Sequence, residues 1–144
     1  MDLSNLYTEV ILEHNKETKN RREIEGHTHK ERGHNPSCGD DITIEAKIVN
    51  GVIEDLAYNG HGCSISQASA SMMTDLLTGK TVEEAMELIQ IFLGMIKREI
   101  QDIDYLEDVL DEASILQGIS NLPARVKCAV LAWHTLKEAL EHKN

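Results

Sequence analysis

Three cysteines and one aspartate carry most of the chemistry available to this sequence. Cys38 lies in Asn35-Pro36-Ser37-Cys38-Gly39-Asp40, Cys63 in Gly60-His61-Gly62-Cys63-Ser64-Ile65-Ser66, and Cys128 in Pro123-Ala124-Arg125-Val126-Lys127-Cys128. Gly39 and Gly62 each adjoin a cysteine and free the backbone there. Cys63 directly precedes a stretch with helical periodicity, so first-turn amides and the helix dipole favour its thiolate. Asp40 is two residues from Cys38, near enough for both side chains to turn toward one point. Zinc accepts thiolate and carboxylate alike, and four such groups complete its tetrahedron. Two readings stand at this level. The cysteines share a metal, or they are small buried hydrophobes, as free cysteine often is. Cys128, on a mostly apolar helical stretch, suits the second reading, whereas Cys38 and Cys63 sit at turns where plain burial is less natural. The three thiols are distant in sequence and no C-x-x-C is present, so spacing alone does not bring them together.

Other chemistries find no support. The sequence contains neither H-E-x-x-H nor P-C-x-x-C. Gly60-His61-Gly62 begins like a dinucleotide fingerprint, but position 65 is Ile and the segment follows an antiparallel hairpin strand. His27, His29 and His34 cluster in a polar segment that reads as a solvated loop rather than a metal site. His34 is placed to modulate the cysteine site if that loop folds over it.

The elements that must position these residues follow from periodicity. Leu3, Leu6, Tyr7, Val10 and Ile11 recur at helical spacing over residues 3–14. Residues 15–37 are polar and aperiodic, and read as a long loop with at most one short irregular strand. Ile42, Ile44, Ala46 and Ile48 alternate with Thr43, Glu45 and Lys47, the pattern of a half-buried strand. Asn50-Gly51 is a tight-turn dipeptide, and residues 52–58 return with Val52, Leu56 and Tyr58 on one side until Gly60-His61-Gly62 breaks the strand. Residues 64–77 read as a helix with Ile65, Ala68, Met72, Met73, Leu76 and Leu77 on one face, closed by Gly79. Thr81 and Glu84 form a capping box for a helix carried by Val82, Ala85, Met86, Ile89, Leu93, Ile96 and Ile100. An acidic segment open to a helical reading spans about 102–116. A last helix starts near Pro123 and runs through Val126, Val130, Trp133, Leu136 and Leu140. Strands and helices are segregated, so the expected class is α+β: a small antiparallel sheet of about three strands packed with four to six helices.

The 144 residues suit one domain, 1–144, able to bury a core without disulfides. Aromatic content is 3%, leaving aliphatic side chains and Met to fill that core. A formal charge of −11 disfavours nucleic acid and anionic membranes as partners. It serves solubility, or it marks an acidic docking face, for which Asp102, Asp104, Glu107, Asp108, Asp111 and Glu112 are the candidates. No apolar run is long enough for a membrane span and no signal peptide is evident, so the expected location is cytoplasmic. In that setting an odd number of cysteines suits thiols or ligands rather than a disulfide framework.

Together, the three cysteine motifs and the run Ala68-Ser69-Ala70-Ser71-Met72-Met73 resemble the SufU/IscU family of iron–sulfur cluster assembly proteins, over nearly the whole chain. The likeness is nearer the SufU branch. Lys127 stands where scaffold-type IscU members usually carry histidine, and residues 101–120 look like the SufU insertion. Asn15-Lys16 departs from the Asn-Pro turn of many relatives. The resemblance implies an α+β fold and zinc bound by Cys38, Asp40, Cys63 and Cys128, with iron or a [2Fe–2S] cluster as the alternative. It implies a SufS-type cysteine desulfurase as partner, and downstream Fe–S assembly proteins as recipients. The expected activity is a sulfurtransferase-like relay of persulfide sulfur using Cys38 and Cys63, with Cys38 the favoured acceptor because its loop lets it swing out. Arg125 and Lys127 are supporting residues; Arg125 pairs with a carboxylate of the site or makes only a surface salt bridge. A nascent-cluster scaffold and a structural zinc docking domain are the rival readings.

Overall fold

The alternation of Ile42, Ile44, Ala46 and Ile48 against polar neighbours produces the central strand of a three-stranded antiparallel sheet. The structure is a computed structural model that describes residues 3–37 and 39–141, with side chains described from Thr8 onward. Its elements are α1 (Leu3–Lys16), β1 (His29–Asn35), β2 (Asp40–Val49), β3 (Val52–His61), α2 (Ser64–Leu77), α3 (Val82–Ile96), α4 (Ile103–Leu110), a 3₁₀ segment (Asp111–Asn121) and α5 (Pro123–Glu141). The sheet order is β1-β2-β3, and the class is α+β.

Asn50 and Gly51 take φ values of 51° and 77°, the double positive φ of a two-residue hairpin turn. The β2–β3 register shifts at Lys47/Ile48: Lys47 faces Asp55 and Ile48 faces Ile53, leaving Glu54 as the extra residue of a bulge. The bulge resets the alternation. Ile53, not Val52, therefore shares the core face with Leu56 and Tyr58, which corrects the grouping of Val52 with them. β3 also continues through Gly60 and His61 instead of breaking there. Gly60, at φ 121°, allows this pairing, because a Cβ would lie 1.9 Å from the Asp41 carbonyl oxygen.

The polar segment 15–37 holds more order than its composition suggests. β1 is a regular strand paired with β2 from His29↔Ala46 to Asn35↔Asp40. No apolar alternation announces it, because it is an edge strand whose covering helix, α5, approaches at a residue without a side chain. A Cβ on Gly33 would sit 1.9 Å from Thr135 Oγ1. The preceding loop is pinned too: Tyr58 N–H donates to the Asn20 carbonyl at 3.0 Å, and His27 Nδ1 lies 3.1 Å from Glu45 Oε1.

α2 is buried on nearly every side, not on a single apolar face. Its small polar residues are internally satisfied. Ser69 Oγ donates to the Ala129 carbonyl at 2.6 Å and accepts from Trp133 Nε1 at 2.9 Å, locking α2 to α5. Trp133 stacks on Phe92 of α3 with ring centroids 3.8 Å apart. His14 bridges Ser71 Oγ (2.8 Å) and Glu112 Oε1 (2.6 Å), tying α1 to α2 and to the 3₁₀ segment.

α1 extends to Lys16, and Val10 and Ile11 enter the core; Leu3, Leu6 and Tyr7 lie outside the described side chains. Asn15 Nδ2 donates to the carbonyls of Ile11 and Ser64, so this residue fastens the end of α1 to the start of α2. The Thr81/Glu84 capping box opens α3. α3 ends at Ile96 rather than reaching Ile100, because Arg98 at φ 64° turns the chain back and Ile100 N–H bonds the Gly94 carbonyl. The acidic segment divides at Asp111 (φ 51°) into α4 and the 3₁₀ segment.

Replacing Ser69 by Ala strands the buried Trp133 N–H. Urea unfolding should then show a loss of roughly 1–3 kcal/mol. A change of a few tenths would mean that the Ser69 link contributes little.

Candidate metal centre

Asp40 opens β2, Cys63 caps α2 and Cys128 lies in the second turn of α5, and these three separate elements carry their side chains to one point. One ligand atom from each lies within 4.8 Å of the others. Among the described residues, no other trio of His, Cys, Asp or Glu is grouped in this way. Cys38 lies outside the described residues. Its neighbours Ser37 and Gly39 are exposed, and Gly39, at φ 71°, has open space where a Cβ would be.

Each ligand is held differently. Asp40 is fully buried. Its Oδ1 accepts from the Cys63 N–H at 2.9 Å and shares the Ser66 hydroxyl, at 3.2 Å, with the Cys63 carbonyl at 3.0 Å. Its Oδ2 is buried and has no hydrogen-bond partner among the described residues. Cys63 Sγ serves as the N-cap of α2, accepting the Ser66 N–H at 3.4 Å, so the sulfur sits at the positive end of the helix. Cys128 is fully buried. Gly62 makes the assembly possible: a Cβ there would lie 2.5 Å from Asp40 Oδ1 and 2.4 Å from Ser66 Oγ.

Arg125 stands one helical turn before Cys128, on the surface. A hydrogen bond to Cys128, then the charge of Cys63, raise its pKa above the usual guanidinium value. The expected partner was a carboxylate. The partners are the two sulfurs, because the helical turn from Arg125 to Cys128 delivers the guanidinium to the thiol side of the site. Lys127, by contrast, lines a neighbouring groove with His34 and His134. The three loop histidines do not assemble: His27 meets Glu45, His29 meets Thr28 and His34 faces that groove. Ser66 is the residue that sequence reasoning missed. Its only signal is its position three residues after Cys63, in the first turn of α2.

The donors fit a thiophilic divalent cation. Two thiols and a carboxylate in one partly buried place repel each other when ionised, and a buried carboxylate oxygen without a donor is costly. A cation between them relieves both, and sulfur with oxygen ligation suits zinc or iron. No helix among the described residues is long and apolar enough to cross a membrane.

Residues 6–129 match the model of the NifU-like N-terminal domain family. The chain is 43% identical to the iron–sulfur cluster assembly scaffold protein IscU of Thermotoga maritima, over 94% of this chain and 93% of that one. It is 39% identical to the zinc-dependent sulfurtransferase SufU of Bacillus subtilis, over 96% and 92%. A crystal structure described as an iron–sulfur cluster assembly scaffold protein for the SUF system, from Fervidobacterium islandicum, superposes with a TM-score of 0.86 at 37% identity, covering 92% of this chain and 95% of that one.

Ser66→Ala removes a hydroxyl donor from Asp40 while leaving the ligands intact. Loss of such an outer contact should weaken zinc binding by about 10–100-fold in chelator competition. Unchanged affinity would mean that Asp40 does not need Ser66 to present its oxygen.

Proposed function

Because this chain belongs to the NifU-like N-terminal domain family, alongside IscU and SufU proteins, we propose that it serves iron–sulfur cluster assembly as a zinc-dependent acceptor of sulfur from a cysteine desulfurase of the SufS type. The observation that carries this reading is the convergence of the Cys63 and Cys128 sulfurs on Asp40, whose Oδ2 is buried without a partner. With Cys38 as fourth donor, the set is three thiolates and one carboxylate. Lys127 and the insertion-like residues 101–120 support the SufU-type reading over the scaffold type.

Bound zinc supplies Lewis acidity that keeps the ligand thiols deprotonated near neutral pH. The chain's own residues do the rest. Cys63 and Cys128, anchored at the start of α2 and inside α5, hold the centre, and Ser66 orients Asp40. Arg125 places a positive charge beside the two sulfurs at the surface, where a partner arrives. Cys38, beside exposed Gly39, is the acceptor. Its thiolate attacks the outer sulfur of the desulfurase persulfide, the S–S bond breaks, and the desulfurase cysteine leaves as thiolate. The sulfane sulfur, now on Cys38, passes to downstream Fe–S assembly proteins.

A scaffold for a nascent [2Fe–2S] cluster is the second reading. It is favoured by the scaffold names of the Thermotoga maritima and Streptococcus pyogenes relatives, the latter 40% identical. The same donor set also suits iron.

Zinc-loaded protein mixed anaerobically with desulfurase charged with labelled sulfur should carry the label on Cys38, mapped by mass spectrometry. Cys38→Ala should abolish acceptance. A Cys38→Ala protein that accepts sulfur as well as the parent contradicts the assignment. Stable iron and sulfide in anaerobically purified protein, with no exchange-resistant zinc, favours the scaffold instead.

A further inference from the structure

Beside the thiolate site, the end of β1 and one face of α5 enclose an open groove of about 340 Å³, lined by His34, Asn35, Lys127, Val130, Leu131 and His134. Lys127, Val130, Leu131 and His134 recur at the three- and four-residue spacing that puts side chains on a common helix face. Val130 and Leu131 form an apolar floor, and Lys127, His34 and His134 stand exposed around it.

Lys127 gives the groove a positive charge, opposite in sign to the −11 of the whole chain. Lys127 makes no hydrogen bond or ion pair among the described residues. His134 has a lowered pKa, through burial first and then through Lys137 and Lys97, with Glu138 opposing, so near neutral pH it is an uncharged imidazole with lysines close by. Asp41, the ladder partner of His34, is already committed to Arg32 through two hydrogen bonds. Asn35 is 8% exposed; its Oδ1 accepts from Ser37 Oγ, and its Nδ2 is buried without a partner among the described residues.

Position gives the groove its meaning. Lys127 directly precedes Cys128, and Asn35 is the ladder partner of Asp40. A group seated there is held against the thiolate site without occupying it. The groove is open, and small-ligand sites instead bury most of their occupant. An apolar floor edged by one ammonium and two imidazoles suits a protruding segment of a protein surface.

We propose that this groove docks a carboxylate-bearing, partly apolar segment of the sulfur-donating protein, its acid meeting the Lys127 ammonium and an N–H of the neutral His134 imidazole, and its apolar neighbour resting on Val130 and Leu131. This rests on the sulfur-acceptor reading. The rim charge steers the encounter and sets its orientation, so that the partner's persulfide arrives at the thiolates.

The test measures the dissociation constant of the zinc-loaded full chain with its desulfurase by calorimetry at low and high salt, for the parent, Lys127→Glu, His134→Glu and Lys127→Arg. Zinc content and Tm serve as controls of the fold. Both Glu variants should bind about tenfold or more weakly and lose much of the parent's salt dependence, since a like charge now faces the partner's acid. Lys127→Arg should bind like the parent. If Lys127→Glu loses zinc, His134→Glu, nearly two turns further along α5, carries the comparison. Glu variants that bind as tightly as a sulfur-accepting parent overturn the groove assignment and leave the acceptor reading standing. A parent that neither binds desulfurase nor takes its sulfur overturns both. A His134 imidazole shift with inorganic phosphate alone, at unchanged partner affinity, assigns the groove to a small anion and overturns the proposal.

Discussion

A buried carboxylate with one oxygen satisfied and the other not is the constraint around which this molecule is arranged. Asp40 Oδ1 is tied to the first turn of α2 through Cys63 N–H and Ser66 Oγ, while Oδ2 has no donor. Alone, that arrangement is unfavourable, and two sulfurs within 4.8 Å make it worse when ionised. The fold accepts this local cost because the surrounding elements leave the side chain little alternative. Gly62 admits the carboxylate against the α2 terminus. The β1–β2 ladder places Asp40 at a strand start, and Gly33 lets α5 lie close enough to bring Cys128 in. The Trp133–Ser69–Ala129 chain then locks α5 onto α2. A cation is the natural complement to a pocket of this kind.

If the site transfers sulfur as proposed, its donors must be held with unequal rigidity. A closed four-ligand centre is inert, so one donor has to leave while the others keep the ion. Cys128 is buried in a long helix and Cys63 is fixed as a helix cap. The neighbours of Cys38 are exposed at the β1–β2 connection. Arg125 beside the sulfurs and Lys127 next to Cys128 bring positive charge to this end of a chain that is otherwise strongly acidic.

Much of this was legible in the residues. The alternation of Ile42, Ile44 and Ala46, the Asn50-Gly51 turn and the Thr81/Glu84 box each write local structure directly, and each is found as written. The glycine beside Cys63 could be read as backbone freedom, but not as the close approach it also permits. What it approached, Asp40 and Ser66, was not legible, because those contacts are tertiary. The same limit hid β1, whose order comes from pairing with β2 and from cover by α5 rather than from its polar side chains. It also hid the change of face at Ile53, where a single bulged residue reverses the alternation. Cys38, Asp40, Cys63 and Cys128 could be named from their motifs, but motif spacing contains no distance between a loop, a helix cap and a terminal helix. The sulfur partners of Arg125 likewise depend on how α5 lies against α2.

X-ray absorption at the zinc edge of the reconstituted protein addresses the convergence most directly. The account predicts a first shell of three sulfur donors at about 2.3 Å and one oxygen donor. Asp40→Ala should replace that oxygen or empty its position while the sulfur shell persists. A shell of nitrogen and oxygen alone, or one with a single sulfur, would contradict it.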